Sequence, residues 1–252
     1  MTKLLRRATF AALIVPMTLG LAACGSKDAT GSGAEKGEKI AAIAAPAGKQ
    51  WSEIIAVTPE DGYRMGNPDA PLKLIEYASL TCPHCADFSE KAGAKLRDQY
   101  VTSGVVSYEL RNQVHDGLDL TMAMLVRCGT PENYFALSEQ VWGNLTTIIQ
   151  GVQTNGAKVD AAMKQSDQAS RYKAIADAAG LTEFFAARGI SRDQAGTCLA
   201  KPGFAEGIAE RSNKQSQELG VDGTPTFFLN GRKLEEQTWE GLEPALQAAG
   251  AR

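Results

Sequence analysis

Histidine is nearly absent from this chain: two residues in 252, His84 and His115. A structural zinc site would have to lean on cysteine, and there is one C-x-x-C pair, Cys82 and Cys85, with no second close pair to complete four ligands. His84 lies between those cysteines, badly placed to bind the same ion. Positive charge is also short. Lys and Arg number 26 against 29 Asp and Glu, a net charge of −3, whereas a nucleic-acid partner favours a basic balance. The N-terminal apolar run, "ATFAALIVPMTLGLAA", contains Pro16 and stops short of the roughly 20 residues a membrane-spanning helix needs. No internal repeat and no separate dimerisation module is visible. What remains is the composition of an ordinary globular chain, 44% hydrophobic and 22% charged, long enough for one sizeable domain or a domain carrying an insertion.

The first residues read as an export signal. Lys3, Arg6 and Arg7 form a basic head, the apolar run follows, and small residues lead to Cys24. "LAAC", Leu21 to Cys24, resembles a bacterial lipobox, which implies cleavage after residue 23 and a lipid on Cys24. Loss of the basic head leaves 23 basic against 29 acidic residues, a charge of −6. An exported chain meets an oxidising compartment, where disulfides persist. With Cys24 assigned to lipid, an even set of four cysteines is left: Cys82, Cys85, Cys128 and Cys198. Residues 24–50, rich in Gly, Ser and charge at first, read as a flexible tether that would reach on the order of 30 Å.

Leu72–Ala78 has the length and two-sided apolar character of a central strand, with Leu72, Leu74 and Glu76 on one face. Phe88, Ala92, Leu96 and Tyr100 recur every four residues, the buried stripe of a helix. Val105–Arg111 alternates as the next strand. The C-x-x-C pair therefore sits where a strand hands over to a helix. Residues 116–219 read as helical throughout, with helix starts at Asp116, at Thr130-Pro131 and at Ser191, which has Gln194 three residues on. Trp142, Phe184 and Phe185 fall at helical spacing and are expected in the core, and His115 at the surface. Strand character returns in "TPTFFLNGRKLEE", whose Asn230-Gly231 is a hairpin turn signal, and a terminal helix follows. The expected class is α/β: a first part at 51–115, a helical insertion at 116–217 and a second part at 218–252.

Three uses of Cys82 and Cys85 come into question. Zinc lacks ligands. A structural staple across two residues closes too small a loop to constrain the unfolded chain. A redox pair fits the position, because a cysteine at a helix N-terminus faces unpaired N–H groups that favour the thiolate. The helix end supplies only roughly 0.3–2 kcal/mol, so a large pKa shift needs direct hydrogen bonds to sulfur and help from His84. A stabilised thiolate stabilises the reduced form and makes the disulfide the stronger oxidant.

"CPHC" after a strand, a long helical insertion, and "GTPTFFLNG" before a final hairpin and helix together resemble the DsbA-like thiol:disulfide oxidoreductases of the thioredoxin superfamily. The resemblance covers roughly Ile54 to Arg252. It implies a thioredoxin fold with a large helical insertion. Cys82 would be the nucleophile, Cys85 the resolving thiol, and Pro83 and His84 would tune the couple. Glu76 would be a buried acid that moves a proton to or from Cys85. Thr224 and a cis Pro225 would meet the substrate peptide, and Cys128 and Cys198 would form a second disulfide. The family's low cysteine pKa and oxidising couple come with the resemblance. One departure stands out: Thr224 occupies the place before the cis-proline where the best-known oxidases have Val, as in several isomerases.

The expected function is an extracytoplasmic, lipid-anchored, monomeric oxidant of cysteine-containing exported proteins, with no metal and no small-molecule cofactor. A DsbB-like, quinone-linked membrane partner would reoxidise it. A reductase or isomerase using the same pair, and a non-catalytic envelope chaperone or adaptor, are the competing expectations.

Overall fold

The computed structural model describes residues 37–252; the expected signal segment, Cys24 and the tether up to residue 36 lie outside the described residues. Six strands form one sheet: β1 (Ile55–Val57), β2 (Tyr63–Met65), β3 (Leu72–Ala78), β4 (Val106–Asn112), β5 (Thr226–Leu229) and β6 (Arg232–Lys233), in the spatial order β1-β2-β4-β3-β5-β6. β3 and β4 run parallel, with Leu72 opposite Val106 and Ala78 opposite Asn112. The other pairings are antiparallel. Among the described residues ten α-helices accompany the sheet: α1 (Pro83–Lys95), α2 (Gly117–Val126), α3 (Tyr134–Gly143), α4 (Leu145–Thr154), α5 (Gly156–Met163), α6 (Gln168–Ala178), α7 (Leu181–Ala186), α8 (Arg192–Leu199), α9 (Phe204–Leu219) and α10 (Trp239–Ala248).

The parallel pair places β3 in the middle of the sheet, and its burial follows. Leu74 and Tyr77 are fully buried and Glu76 is 1% exposed. Leu72 and Leu74 pack with Phe88, Leu96, Phe227 and Leu242, so α1 and α10 cover this face. Each large apolar side chain buried here contributes about 1.5–3 kcal/mol. The expected stripe of Phe88, Ala92, Leu96 and Tyr100 is the buried one. Its last members lie in a wider π-helical turn, Leu96–Val101, that continues α1. Asn230 and Gly231 both take positive φ, 50° and 80°, which is what a tight two-residue hairpin turn demands.

Two parts of the chain depart from expectation. Residues 37–43, assigned to the tether, are fixed along the body: Gly37 and Ile40 donate backbone hydrogen bonds to Ala248 and Gly250, and Ile43 donates to Ser103. The indole N–H of Trp51 reaches back to the Ile43 carbonyl at 2.8 Å. Residues 37–43 are therefore not a free tether, because their backbone finds partners at Ser103, Ala248 and Gly250. The hairpin β1–β2 was not anticipated; three-residue strands carry too little alternation to show. Its turn is held by the Thr58 hydroxyl, which donates to Glu109 at 2.7 Å.

The helical block runs from Gly117 to Leu219, so the boundary expected at 217 falls two residues inside α9. Its junction with the sheet is polar and buried. Arg127, just past α2, donates to Asp61 in the β1–β2 turn at 2.9 Å and to Asn112 at the end of β4 at 3.1 and 2.9 Å. Its guanidinium lies over the rings of Tyr63 and Tyr134, which stack on each other at 3.6 Å. The Arg127 side chain is 5% exposed and that of Asp61 26%, so solvent screens this pair only in part.

Cys128 and Cys198 are joined, with Cα atoms 5.8 Å apart and 70 positions apart in sequence. The bridge ties the end of α2 to α8. Ser191 caps α8 as expected, its hydroxyl accepting from Gln194 N–H. The Gln194 side chain instead donates to the Cys128 carbonyl at 2.7 Å, bracing the bridge. In the chain-entropy account a loop of this length adds about 4 kcal/mol. The double variant Cys128→Ala/Cys198→Ala is expected to lose stability of that order in denaturant unfolding. It should keep the reactivity of Cys82 towards thiol reagents.

Candidate active site

β3 ends at Ala78, and four residues turn the chain into α1. Cys82 is the N-cap of that helix, with extended backbone angles (φ −83°, ψ 120°) and Pro83 at the first helical position. Proline belongs there, since its missing N–H would have no helical partner. Both sulfurs are inside, Cys82 8% exposed and Cys85 fully buried, and the two cysteines are in the free thiol form. Pro83 and His84 are exposed. The structure thus brings the backbone of His84, and not a buried imidazole, to the sulfur.

The two thiols are driven apart. The Cys82 pKa falls to about 5, above all because the Cys85 thiol hydrogen-bonds to its sulfur. Thr224 and the backbone N–H groups of Cys85 and His84 add to the fall, against the opposing effect of burial. The Cys85 pKa is pushed far up, first by burial, then by the same hydrogen bond seen from the donor's side and by the charge of Glu76. One proton is therefore held at Cys85 while Cys82 is a thiolate near neutral pH.

Thr224 sits opposite, in the loop before β5, and its peptide bond to Pro225 is cis. In the dithiol form the Cys82 S–H donates to the Thr224 carbonyl at 3.2 Å. Once that proton leaves, the carbonyl has nothing to accept. The Thr224 hydroxyl, buried and without another partner among the described residues, is then the group able to donate to sulfur.

Glu76 lies beneath the pair on the α1-facing side of β3. Its Oε2 accepts from the Tyr108 hydroxyl on β4, and its Oε1 has no partner among the described residues. Burial pushes its pKa up to about 8, the charge on Cys82 adds to this, and the Tyr108 hydrogen bond pulls the other way. Near neutral pH Glu76 is thus a neutral acid with a proton to give. The sequence singled out Glu76 but not Tyr108. Alternation placed Tyr108 with Val106 and Leu110, and only the parallel register, Leu74 opposite Tyr108, brings that face onto the side of Glu76.

A second buried acid was also missed. Asp119, 1% exposed, stands in the first turn of α2 and accepts N–H bonds from Leu80 and His115 at 2.9 and 3.0 Å. In sequence it reads as an ordinary first-turn acid. Trp142 is core, as expected, but its indole also donates to the Ser79 carbonyl at 3.0 Å. Phe185 is fully buried, and His115 lies at the surface. Among the described residues there is no cluster of side chains suited to a metal ion. No described helix is long and apolar enough to cross a membrane.

The profile of the family described as Thioredoxin matches residues 58–248. The chain belongs to the thioredoxin family. It is similar to a provisionally named protein-disulfide oxidoreductase of Rickettsia bellii, 24% identical over 193 residues that cover 75% of this chain and 65% of the relative. The match therefore spans a little under two thirds of that curated relative's length. Among solved structures, a protein-disulfide isomerase from Novosphingobium aromaticivorans aligns with a TM-score of 0.70 at 29% identity, over 75% of this chain and 97% of that one. Wolbachia pipientis alpha-DsbA1 aligns with a TM-score of 0.59 at 23% identity, over 77% and 94%. The architecture, a thioredoxin sheet interrupted by a helical block, is the DsbA-like form of the thioredoxin fold.

In this member of the thioredoxin family the raised pKa of Glu76 has a consequence for stability. A carboxyl with a pKa near 4.5 in the unfolded chain and about 8 in the fold favours folding while protonated. That stability is present below the unfolded pKa and is lost as pH rises through the folded one. Glu76→Gln never ionises. It is expected to match the parent chain near pH 4 and to exceed it by on the order of 3–5 kcal/mol near pH 9, as read from denaturant unfolding across that range.

Proposed function

We propose that the chain is an extracytoplasmic thiol:disulfide oxidoreductase that passes its Cys82–Cys85 disulfide to cysteines of exported proteins. A lipid on Cys24 would hold it at a bacterial membrane, and a DsbB-like, quinone-linked membrane partner would reoxidise it. The observation that carries this reading is the split between the two sulfurs, one lowered to about 5 and the other raised by burial.

The split supports one order of events. A substrate thiolate attacks Cys82 Sγ of the oxidised pair, a bond forms between the two sulfurs, and the Cys82–Cys85 bond breaks. The electron pair leaves with Cys85, which is buried and unstable as an anion, and takes the proton of Glu76. A second substrate thiolate then attacks its partner sulfur in the mixed disulfide. Cys82 leaves as a thiolate, well suited to depart because of its low pKa. The substrate dithiol has become a disulfide, the pair one thiolate and one thiol, and the other proton has gone to solvent. Glu76 regains a proton from solvent between turnovers and sheds it again to accept the Cys85 proton when reoxidation reverses the sequence.

The same balance supports the oxidising direction. Two pH units separate a pKa of about 5 from neutrality, so the reduced form gains about a hundredfold, on the order of 60 mV in potential, over an unperturbed pair. The Novosphingobium structure's description as an isomerase, and the Thr224 hydroxyl beside the sulfur, favour a second reading as isomerase or reductase. Titration against glutathione separates the two. The oxidant reading expects a potential well above about −200 mV, whereas a potential near the roughly −270 mV of thioredoxin supports the reductase and overturns the oxidant. In parallel, Cys85→Ala is expected to accumulate a mixed disulfide with a thiol-bearing unfolded protein through Cys82. Failure of both parent and variant to exchange with any protein thiol would leave only the adaptor reading.

A further inference from the structure

Asp119 is a buried carboxylate that the exchange chemistry does not use. Its burial is costly, because burial pushes its pKa up to about 6 against the pull of its hydrogen bonds. Helix capping does not account for it. Asp116 already caps α2, accepting from the Asp119 N–H at 2.8 Å. One Asp119 oxygen reaches back to the His115 N–H just before the cap, and the other leaves the helix for the Leu80 N–H in the loop after β3. The Ser79 hydroxyl is a third partner.

Ser79 is fully buried and meets both reactive cysteines. Its carbonyl accepts the Cys82 N–H at 3.3 Å, and its N–H is directed at the Cys85 sulfur. Its hydroxyl accepts the Thr81 N–H at 3.1 Å. The indole of Trp142, also in the helical block, takes the Ser79 carbonyl from the other side. Every residue between β3 and Cys82 is therefore gripped from within the block or by a neighbour so gripped.

We propose that Asp119 is a positioning residue for the redox pair: from the first turn of α2 its carboxylate holds the Ser79–Thr81 loop, and that loop sets where the two sulfurs stand. The proposal rests on the redox reading above. Asp119 acts through position: its oxygens bond the Leu80 and His115 N–H groups and neither sulfur. The helical block thereby tunes the pair without touching it. A purely structural role would be to satisfy two backbone donors, each of which costs about 1–3 kcal/mol if left bare. Such a role would change stability alone.

The test is Asp119→Asn in the full chain. Asparagine keeps the shape but turns an NH2 towards one of the two donors. The expected result is a rise of about one unit in the pKa at which Cys82 becomes a thiolate, followed by ultraviolet absorbance. The reduction potential should become more negative by about 30 mV, the equivalent of that tenfold change. Asp61→Asn, which strips an acceptor from Arg127 and Arg211, is the comparison: it should lower the melting temperature and leave the Cys82 titration in place. An Asp119→Asn protein that melts lower with an unmoved titration and potential overturns the proposal. Should that variant not fold, Ser79→Ala carries the same test by removing the hydroxyl between Asp119 and Thr81, and an unmoved titration again overturns it. An ordinary thiol pKa for Cys82 in the parent chain would sink the redox reading itself, a separate outcome.

Discussion

A thiolate kept largely from water needs donors that are already in place when its proton leaves. Here the donors are the N–H groups at the start of α1, the Cys85 thiol and the Thr224 hydroxyl, and each is held by a different part of the fold. Pro83 starts the helix where Cys82 caps it. The burial of β3 between β4 and β5 fixes the point at which the chain must turn. The loop before β5 brings Thr224 across. Because these groups are built into the backbone path, stabilising the charge at Cys82 requires little reorganisation at the moment of exchange.

The same enclosure that holds Cys82 as an anion forbids one at Cys85, and so a proton donor is needed underneath. In the proposed exchange that donor is Glu76, and the central place of β3 is what buries it. A carboxyl on that face is buried, and its pKa rises to about 8, so it is protonated near neutral pH. The arrangement costs stability at high pH, and the fold carries that cost through its apolar faces and the buried Arg127 junction. Two buried acids therefore have different work. Glu76 faces the chemistry with a free oxygen, and Asp119 spends both oxygens on backbone.

Much of this was legible in the residues. Leu72–Ala78 appears at its expected bounds because a two-sided apolar heptapeptide bounded by turn residues has few other solutions. The α1 stripe, the Asn230-Gly231 turn and the Asp116 and Ser191 caps are local features, and local features are readable. What escaped was set by pairing at a distance. Tyr108 meets Glu76 only through the β3–β4 register, and the role of Asp119 depends on α2 docking under a loop forty residues earlier. The β1–β2 hairpin is too short to show a period. Residues 37–43 looked like tether because their partners lie at the other end of the chain.

The central claim is that one sulfur, and only one, ionises in the physiological range. Ultraviolet absorbance of the reduced protein, followed across pH, tests it directly. The account predicts a single thiolate transition near pH 5 that vanishes in Cys82→Ser and moves upward in Cys85→Ala, where the strongest donor to the sulfur is gone. A first transition near the ordinary thiol value of about 8.5, or one that survives in Cys82→Ser, would contradict it.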